Sequence, residues 1–229
     1  MAKTALIVGA GSGLSASIAR LLAKEGYQIA LAARRIEKLT QLSSEIAAVS
    51  FAADASKPEE VNQLFIDVEN KLSSPTVVVY NPSFRVRGSL IDLEPDEVAK
   101  TLEVTAYGGF LVAQAAAKRM LQQGGGAILF TGASASIKGY PQSAPFAMGK
   151  FALRGLAQSI ARELAPKNIH VAHFVIDGVI RSAASVDPAD NPDSTLDPDA
   201  IAQTYLNILN QPRSAWTWEV ELRPWVERF

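Results

Sequence analysis

The chain contains no cysteine among its 229 residues, so disulfides and thiolate-bound metals are excluded. It has only two histidines, His170 and His173, and both sit inside one apolar run. Imidazoles so placed read as core residues rather than metal ligands, and no metal site is expected. Neither sign of charge is in excess: 22 Lys and Arg stand against 23 Asp and Glu. Nothing electrostatic therefore favours nucleic acid or an acidic membrane surface. No stretch of about 18 apolar residues occurs, so no membrane-spanning helix is expected. No basic and apolar leader precedes the first strand-like run, and the expectation is a soluble cytoplasmic protein.

What is present is ordinary for one α/β domain: 48% hydrophobic and 20% charged residues. Strand-like runs at 4–8, 28–32, 49–52, 76–80, 127–130, 171–176 and 219–222 alternate with helical patterns. The helical patterns lie near 13–25, 36–47, 58–72, 95–123, 145–165 and 198–210. Such alternation implies parallel βαβ crossovers, and near-continuously apolar strands imply a sheet covered on both faces. No repeat or low-complexity linker divides residues 1–229, so a single doubly wound domain is expected. The polar, Asp/Pro-rich stretch 182–199 reads as a mobile loop, either a lid or plain disorder.

The first strand runs into Gly9-Ala10-Gly11-Ser12-Gly13-Leu14-Ser15 and then a helix. Glycines between a first strand and a helix let backbone N–H groups approach a pyrophosphate, and the helix start adds positive partial charge. Tight βα turns also use glycine for geometry alone; the strand–turn–helix context favours nucleotide binding. After the second strand comes Ala32-Ala33-Arg34-Arg35. An acid usually holds the unphosphorylated ribose here, and Ala33 supplies none. Arg34 and Arg35 instead offer planar donors suited to a 2′-phosphate, or form a solvated pair opening the next helix. NADP(H) is favoured over NAD(H).

In order and spacing, nearly the whole chain resembles the short-chain dehydrogenases/reductases, whose hallmark is Tyr-x-x-x-Lys. The resemblance implies a seven-stranded parallel Rossmann sheet in the order 3-2-1-4-5-6-7. In the family's Thr-Gly-x-x-x-Gly-x-Gly, Gly9 and Gly13 match while Val8 and Ser15 depart. The resemblance implies that Asp54 meets the adenine amino group and that Asn81 is retained from Asn-Asn-Ala-Gly. Pro82, without an N–H, alters the loop that follows. Gly178 matches the family's Pro-Gly, with Asp177 replacing the proline. The backbone of Gly178, Val179 and Ile180 would then meet the nicotinamide carboxamide, and Asp177 is either a new functional group or a loop or cap residue.

The catalytic positions depart further. Lys150 matches the lysine that binds the nicotinamide ribose, but Phe146 stands where the proton-donating tyrosine belongs. The carbonyl-polarising serine, thirteen residues earlier, falls on Ala133, with Ser134 and Ser136 displaced from it. Thr105, five residues before Phe110, takes the place of the asparagine. Phe146 reads as an inert aromatic filling the pocket. Tyr140, in the loop upstream, is a candidate substitute acid or a pocket-lining residue, as is Tyr107 less directly. Candidate catalytic residues are therefore Lys150, Ser134 and Tyr140. Two functions remain open: an NADPH-dependent reductase of small carbonyl substrates, and a catalytically inactive cofactor-binding protein acting as sensor or assembly partner. Three tryptophans at 216–225 in a period-two pattern suggest a face for burial, and in the relatives this region joins subunits, so a homodimer or homotetramer is expected.

Overall fold

Every residue of β1 (Thr4–Val8) is buried, because an apolar strand with both faces covered meets no water. Its side chains alternate: Ala5 and Ile7 enter one core, Leu6 and Val8 the other. The computed structural model describes residues 3–227. The other strands are β2 (Gln28–Ala33), β3 (Val49–Ala52), β4 (Pro75–Tyr80), β5 (Gly126–Thr131), β6 (Ile169–Ile176) and β7 (Glu219–Leu222). They form one seven-stranded sheet ordered β3-β2-β1-β4-β5-β6-β7, and all neighbours run parallel. This is the order that the family resemblance implies.

Helices α1 (Leu14–Lys24) and α7 (Pro198–Leu209) cover one face, inserting Ile18, Leu22, Ile201 and Tyr205. The α2 helix (Thr40–Ile46) follows a 3₁₀ turn over Ile36–Leu39. On the other face lie α3 (Pro58–Lys71), α5 (Gly108–Gln123) and α6 (Ala144–Leu164), with Phe65, Val112, Met120 and Leu153 in the core. The single helix expected over 95–123 is α4 (Pro95–Leu102) joined to α5 through a π-helical turn at Glu103–Tyr107. Apolar periodicity does not report such a turn, which adds one residue to the helix without breaking it.

The stretch 182–199 is more anchored than its composition suggests. The Asp187 carboxylate accepts from Thr195 N at 2.8 Å, Thr195 Oγ1 at 2.6 Å and Asp193 N at 3.1 Å, and pairs with Arg181 at 2.6 Å. These bonds to its own loop hold the Asp187 carboxyl below the usual range. The tryptophans do not share one apolar face: Trp216 stacks on His170 at 4.6 Å, Trp218 lies beneath Arg154 at 5.6 Å, and Trp225 is exposed. No helix is long and apolar enough to cross a membrane among the described residues.

Candidate functional site

The strand order reverses between β1 and β4, and a crevice opens there at the carboxyl ends of the strands. Two clefts occupy it. The first, about 420 Å³, is lined by the β1 turn, by Arg34, Arg35 and Lys38 after β2, by Asp54, and by Asn81, Pro82 and Ser83. The second, about 260 Å³, is lined by Asn81, Ser83 and Arg85, by Ser134, Tyr140, Phe146 and Lys150, and by Gly178 and Ile180. Asn81 and Ser83 belong to both, so the clefts form one groove.

The glycine turn has the shape that a phosphate needs. Gly9 has φ of 79°, and a Cβ there would sit 2.6 Å from Pro82 N. Gly11 and Gly13 face open space, with nothing within 4 Å of a built Cβ. Gly13 caps α1 without a side-chain bond, and no acid lies in the first turn, so the helix's free N–H groups keep their positive character. Gly9, Gly11 and Ser12 line the first cleft, while Gly13 does not, and the Leu14 side chain is buried in the core. Leu14 can therefore offer only its backbone. Ser15, where the family has glycine, turns inward: its hydroxyl donates to Gly9 O at 3.1 Å and accepts from Asn81 Nδ2 at 2.7 Å. It thus ties the glycine turn to the end of β4.

Arg34, Arg35 and Lys38 rim the first cleft, and none has an ion pair among the described residues. Burial pushes the Asp54 carboxyl up, but bonds from Ser56 N at 3.0 Å and Ser56 Oγ at 2.7 Å, with the Lys100 and Arg34 charges, hold it below its ordinary value. Asp54 is thus an ionised acceptor at the cleft wall.

In the second cleft, Lys150 is almost wholly buried, and its Nζ donates to Thr131 O at 2.7 Å. Burial pushes its pKa down to about 8. Phe146, on the preceding turn of α6, lies under the Arg85 guanidinium, 4.9 Å from ring centroid to Cζ, and Lys150 Nζ is 5.9 Å from the same centroid. Ser134 opens a 3₁₀ turn and lines the cleft, whereas Ser136 is buried and accepts from Ala133 N at 3.1 Å. Of the two displaced serines, Ser134, one residue from the expected position, is thus the one that lines the cleft. Thr105 lies in the π turn, fully buried; its Oγ1 accepts from Phe84 N at 3.4 Å and its side chain packs against Gly149. Its hydroxyl oxygen thus meets the β4–α4 loop, and Tyr107 points to the exterior, lining neither cleft.

Asp177 is a loop residue rather than a new functional group. It is 2% exposed and pairs with Lys138 at 3.1 Å and Arg223 at 3.5 Å, joining the 134–140 loop to the C-terminal segment. Lys138 is raised above its ordinary value, first by that bond and also by the nearby Tyr140 hydroxyl. Gly178 has φ of 152°, and a Cβ would meet Pro224 Cδ at 2.7 Å. Gly178 and Ile180 line the second cleft; Val179 does not, and its carbonyl accepts from Leu196 N at 2.8 Å. His173 lies behind the cleft, with Nδ1 on Glu219 at 3.0 Å, and burial pushes it down to about 4. His170 bonds Thr217 O at 2.9 Å, so both imidazoles are structural. The sequence reading missed Lys38, in the 3₁₀ turn that follows Arg34 and Arg35, and Arg85, which carries no periodic signal of its own.

The family model for short chain dehydrogenases matches residues 3–190. A short-chain dehydrogenase of Rhodopseudomonas palustris is 34% identical, over 97% of this chain and 99% of that one, with a TM-score of 0.83. An alcohol dehydrogenase of the archaeon Thermococcus sibiricus, solved with 5-hydroxy-NADP, is 26% identical over 100% and 99% of the chains, with a TM-score of 0.88. Carbonyl reductase family member 4 of Xenopus laevis is 26% identical over 93% of each chain. With the fold, the glycine turn and the Lys150 cleft, these matches establish that the chain belongs to the short-chain dehydrogenase family.

Proposed function

We propose that this protein is a cytoplasmic NADP(H)-binding short-chain dehydrogenase/reductase that slowly reduces small carbonyl compounds, with Tyr140 in place of the usual acid. One observation carries the reading. A single groove has unpaired cations at one end and Lys150, Ser134 and Tyr140 at the other. The NADP-analogue complex of the Thermococcus relative supports the cofactor.

The open space at Gly11 and Gly13 fits a pyrophosphate, with the α1 start above it. Arg34, Arg35 and Lys38 would hold the 2′-phosphate, Asp54 the adenine, Asn81 the adjoining ribose, Lys150 the nicotinamide ribose, and Gly178 to Ile180 the carboxamide. When bound, the cofactor supplies a hydride to the carbonyl carbon. The Ser134 hydroxyl donates a hydrogen bond to the carbonyl oxygen, and the Tyr140 hydroxyl gives that oxygen its proton. Tyr140 is 42% exposed, so water reaches it and reprotonates it from solvent. The exposure also costs rate, because an acid acts best when held rigidly in a dry site.

A second reading, a cofactor-binding protein without catalysis, is favoured by Thr105, whose hydroxyl is engaged by the Phe84 backbone, and by Phe146, which has no hydroxyl. The experiment is NADPH oxidation across a panel of activated ketones and aldehydes, with Tyr140→Phe beside the unmutated protein. The expected result is slow turnover that Tyr140→Phe lowers by about 10²–10⁴-fold. NADPH binding with no turnover on any member of the panel replaces the first reading with the second. Turnover untouched by Tyr140→Phe removes Tyr140 from the mechanism.

A further inference from the structure

The second cleft holds a charge that the reductase reading does not use. Arg85, on the loop after β4, lines the cleft and stacks on Phe146. Its guanidinium has no hydrogen bond or ion pair to any described residue. Lys150 is the second cation in the lining, and no aspartate or glutamate lines the cleft. The nearby carboxylates are committed elsewhere: Asp177 to Lys138 and Arg223, Glu219 to Arg154 and His173. Partial burial, and then the neighbouring Arg87 charge, lower the Arg85 pKa. The cleft therefore presents a cation with unfilled donors, held in place by an aromatic ring.

Arginine does not replace the lost acid. A guanidinium stays charged across the working pH range and gives no proton to a carbonyl oxygen. Its planar fork of N–H donors matches a carboxylate, which it binds through two parallel bonds. The Phe146 ring beneath it holds the guanidinium at the cleft, and its N–H donors have no partner among the described residues. The same cleft carries the Ser134 and Tyr140 hydroxyls, so an anionic group and a carbonyl in one molecule can be held together. The cleft's volume of about 260 Å³ suits a small molecule.

We propose that Arg85 is a specificity-determining residue and that the substrates are small keto acids, whose carboxylate it binds while their carbonyl faces Ser134 and Tyr140. This rests on the reductase reading for the carbonyl's fate, but the anion binding can be tested without turnover. The probes are levulinate and its neutral methyl ester, which share one ketone and differ in charge. Their binding to the full chain is measured by calorimetry or ligand-observed NMR, alongside NADPH oxidation with each.

Levulinate is expected to bind at least about tenfold more tightly than the ester, the smallest effect of one charge-assisted pair. Arg85→Gln should remove that preference, weakening the acid far more than the ester. Arg85→Lys, which keeps the charge without the fork, should retain part of it. Arg87→Gln should retain all of it, since Arg87 does not line the cleft. Equal binding of acid and ester overturns the proposal, as does a preference that survives Arg85→Gln. If the acid binds through Arg85 and neither compound is reduced, the anion site stands and the reductase reading falls. If both are reduced equally and Arg85→Gln changes nothing, the reductase reading stands and the anion site falls.

Discussion

Replacing Arg34 tests the cofactor assignment most directly. Arg34, Arg35 and Lys38 rim the adenosine end of the groove, and Ala33 places no acid against a ribose hydroxyl. A hydrogen bond to a charged group contributes about 1.5–3 kcal/mol, or roughly 10- to 150-fold in affinity. Arg34 is exposed, so solvent screening brings the expected effect to the low end. Arg34→Ala should therefore weaken NADPH binding by about tenfold and leave NADH binding nearly unchanged. Arg34→Asp adds repulsion toward the 2′-phosphate and a ribose acceptor at once, and should erase the preference. The effect should shrink in strong salt, because the Debye length falls from about 10 Å at 0.1 M to about 3 Å at 1 M. A second readout is independent of binding. The Arg34 charge helps hold Asp54 below its ordinary pKa, so Arg34→Ala should raise the Asp54 pKa in an NMR titration. The assay is calorimetry of NADPH and NADH on each variant at two ionic strengths. Equal affinity of the unmutated protein for both cofactors would refute the reasoning, and an Arg34→Ala change that weakens both alike would assign Arg34 to a shared part of the cofactor.

Three further outcomes follow from particular contacts. His173 is depressed to about 4 in the fold against 6.5 unfolded, so the unfolded chain binds the extra proton first and stability, complete above pH 6.5, falls as pH drops toward 4. The loss is about 3 kcal/mol in urea denaturation, and His173→Gln should flatten it; an equally steep decline in that variant would place the titration elsewhere. Phe146→Tyr alone should restore little carbonyl reduction, because Ala133 has no hydroxyl, whereas Thr105→Asn, Ala133→Ser and Phe146→Tyr together should give measurable NADPH oxidation; an active single variant contradicts the argument. Light scattering should report a multiple of 24.5 kDa at micromolar concentration, through α6 with its exposed Met148 and Phe151 and through the 198–222 region; a mass of one chain excludes that assembly.

Sequence alone determined the strands and the glycine turn, because both are local in origin, whereas the order of the strands came with the family resemblance. Apolar runs such as 77–80 and 171–176 are long enough to specify buried parallel strands, and the run from Gly9 to Gly13 follows β1 at once. Lys150 and Phe146 were legible for the same reason, being one helical turn apart. Tertiary structure decided which polar groups are free. Both Ser134 and Ser136 are displaced from the expected position, by one residue and by three, and only contacts made in the fold leave Ser134 lining the cleft while Ser136 caps a turn. Asp177 could be read from sequence either as a new functional group or as a loop residue, and Lys138 and Arg223, 39 and 46 residues away in sequence, decide for the loop role by closing on it. Arg85 drew no notice in the sequence, and only the fold lays its guanidinium over Phe146 of α6. The physical reason is that burial and pairing are made by contacts between distant segments, and a side chain's chemistry is set by what those contacts leave unsatisfied.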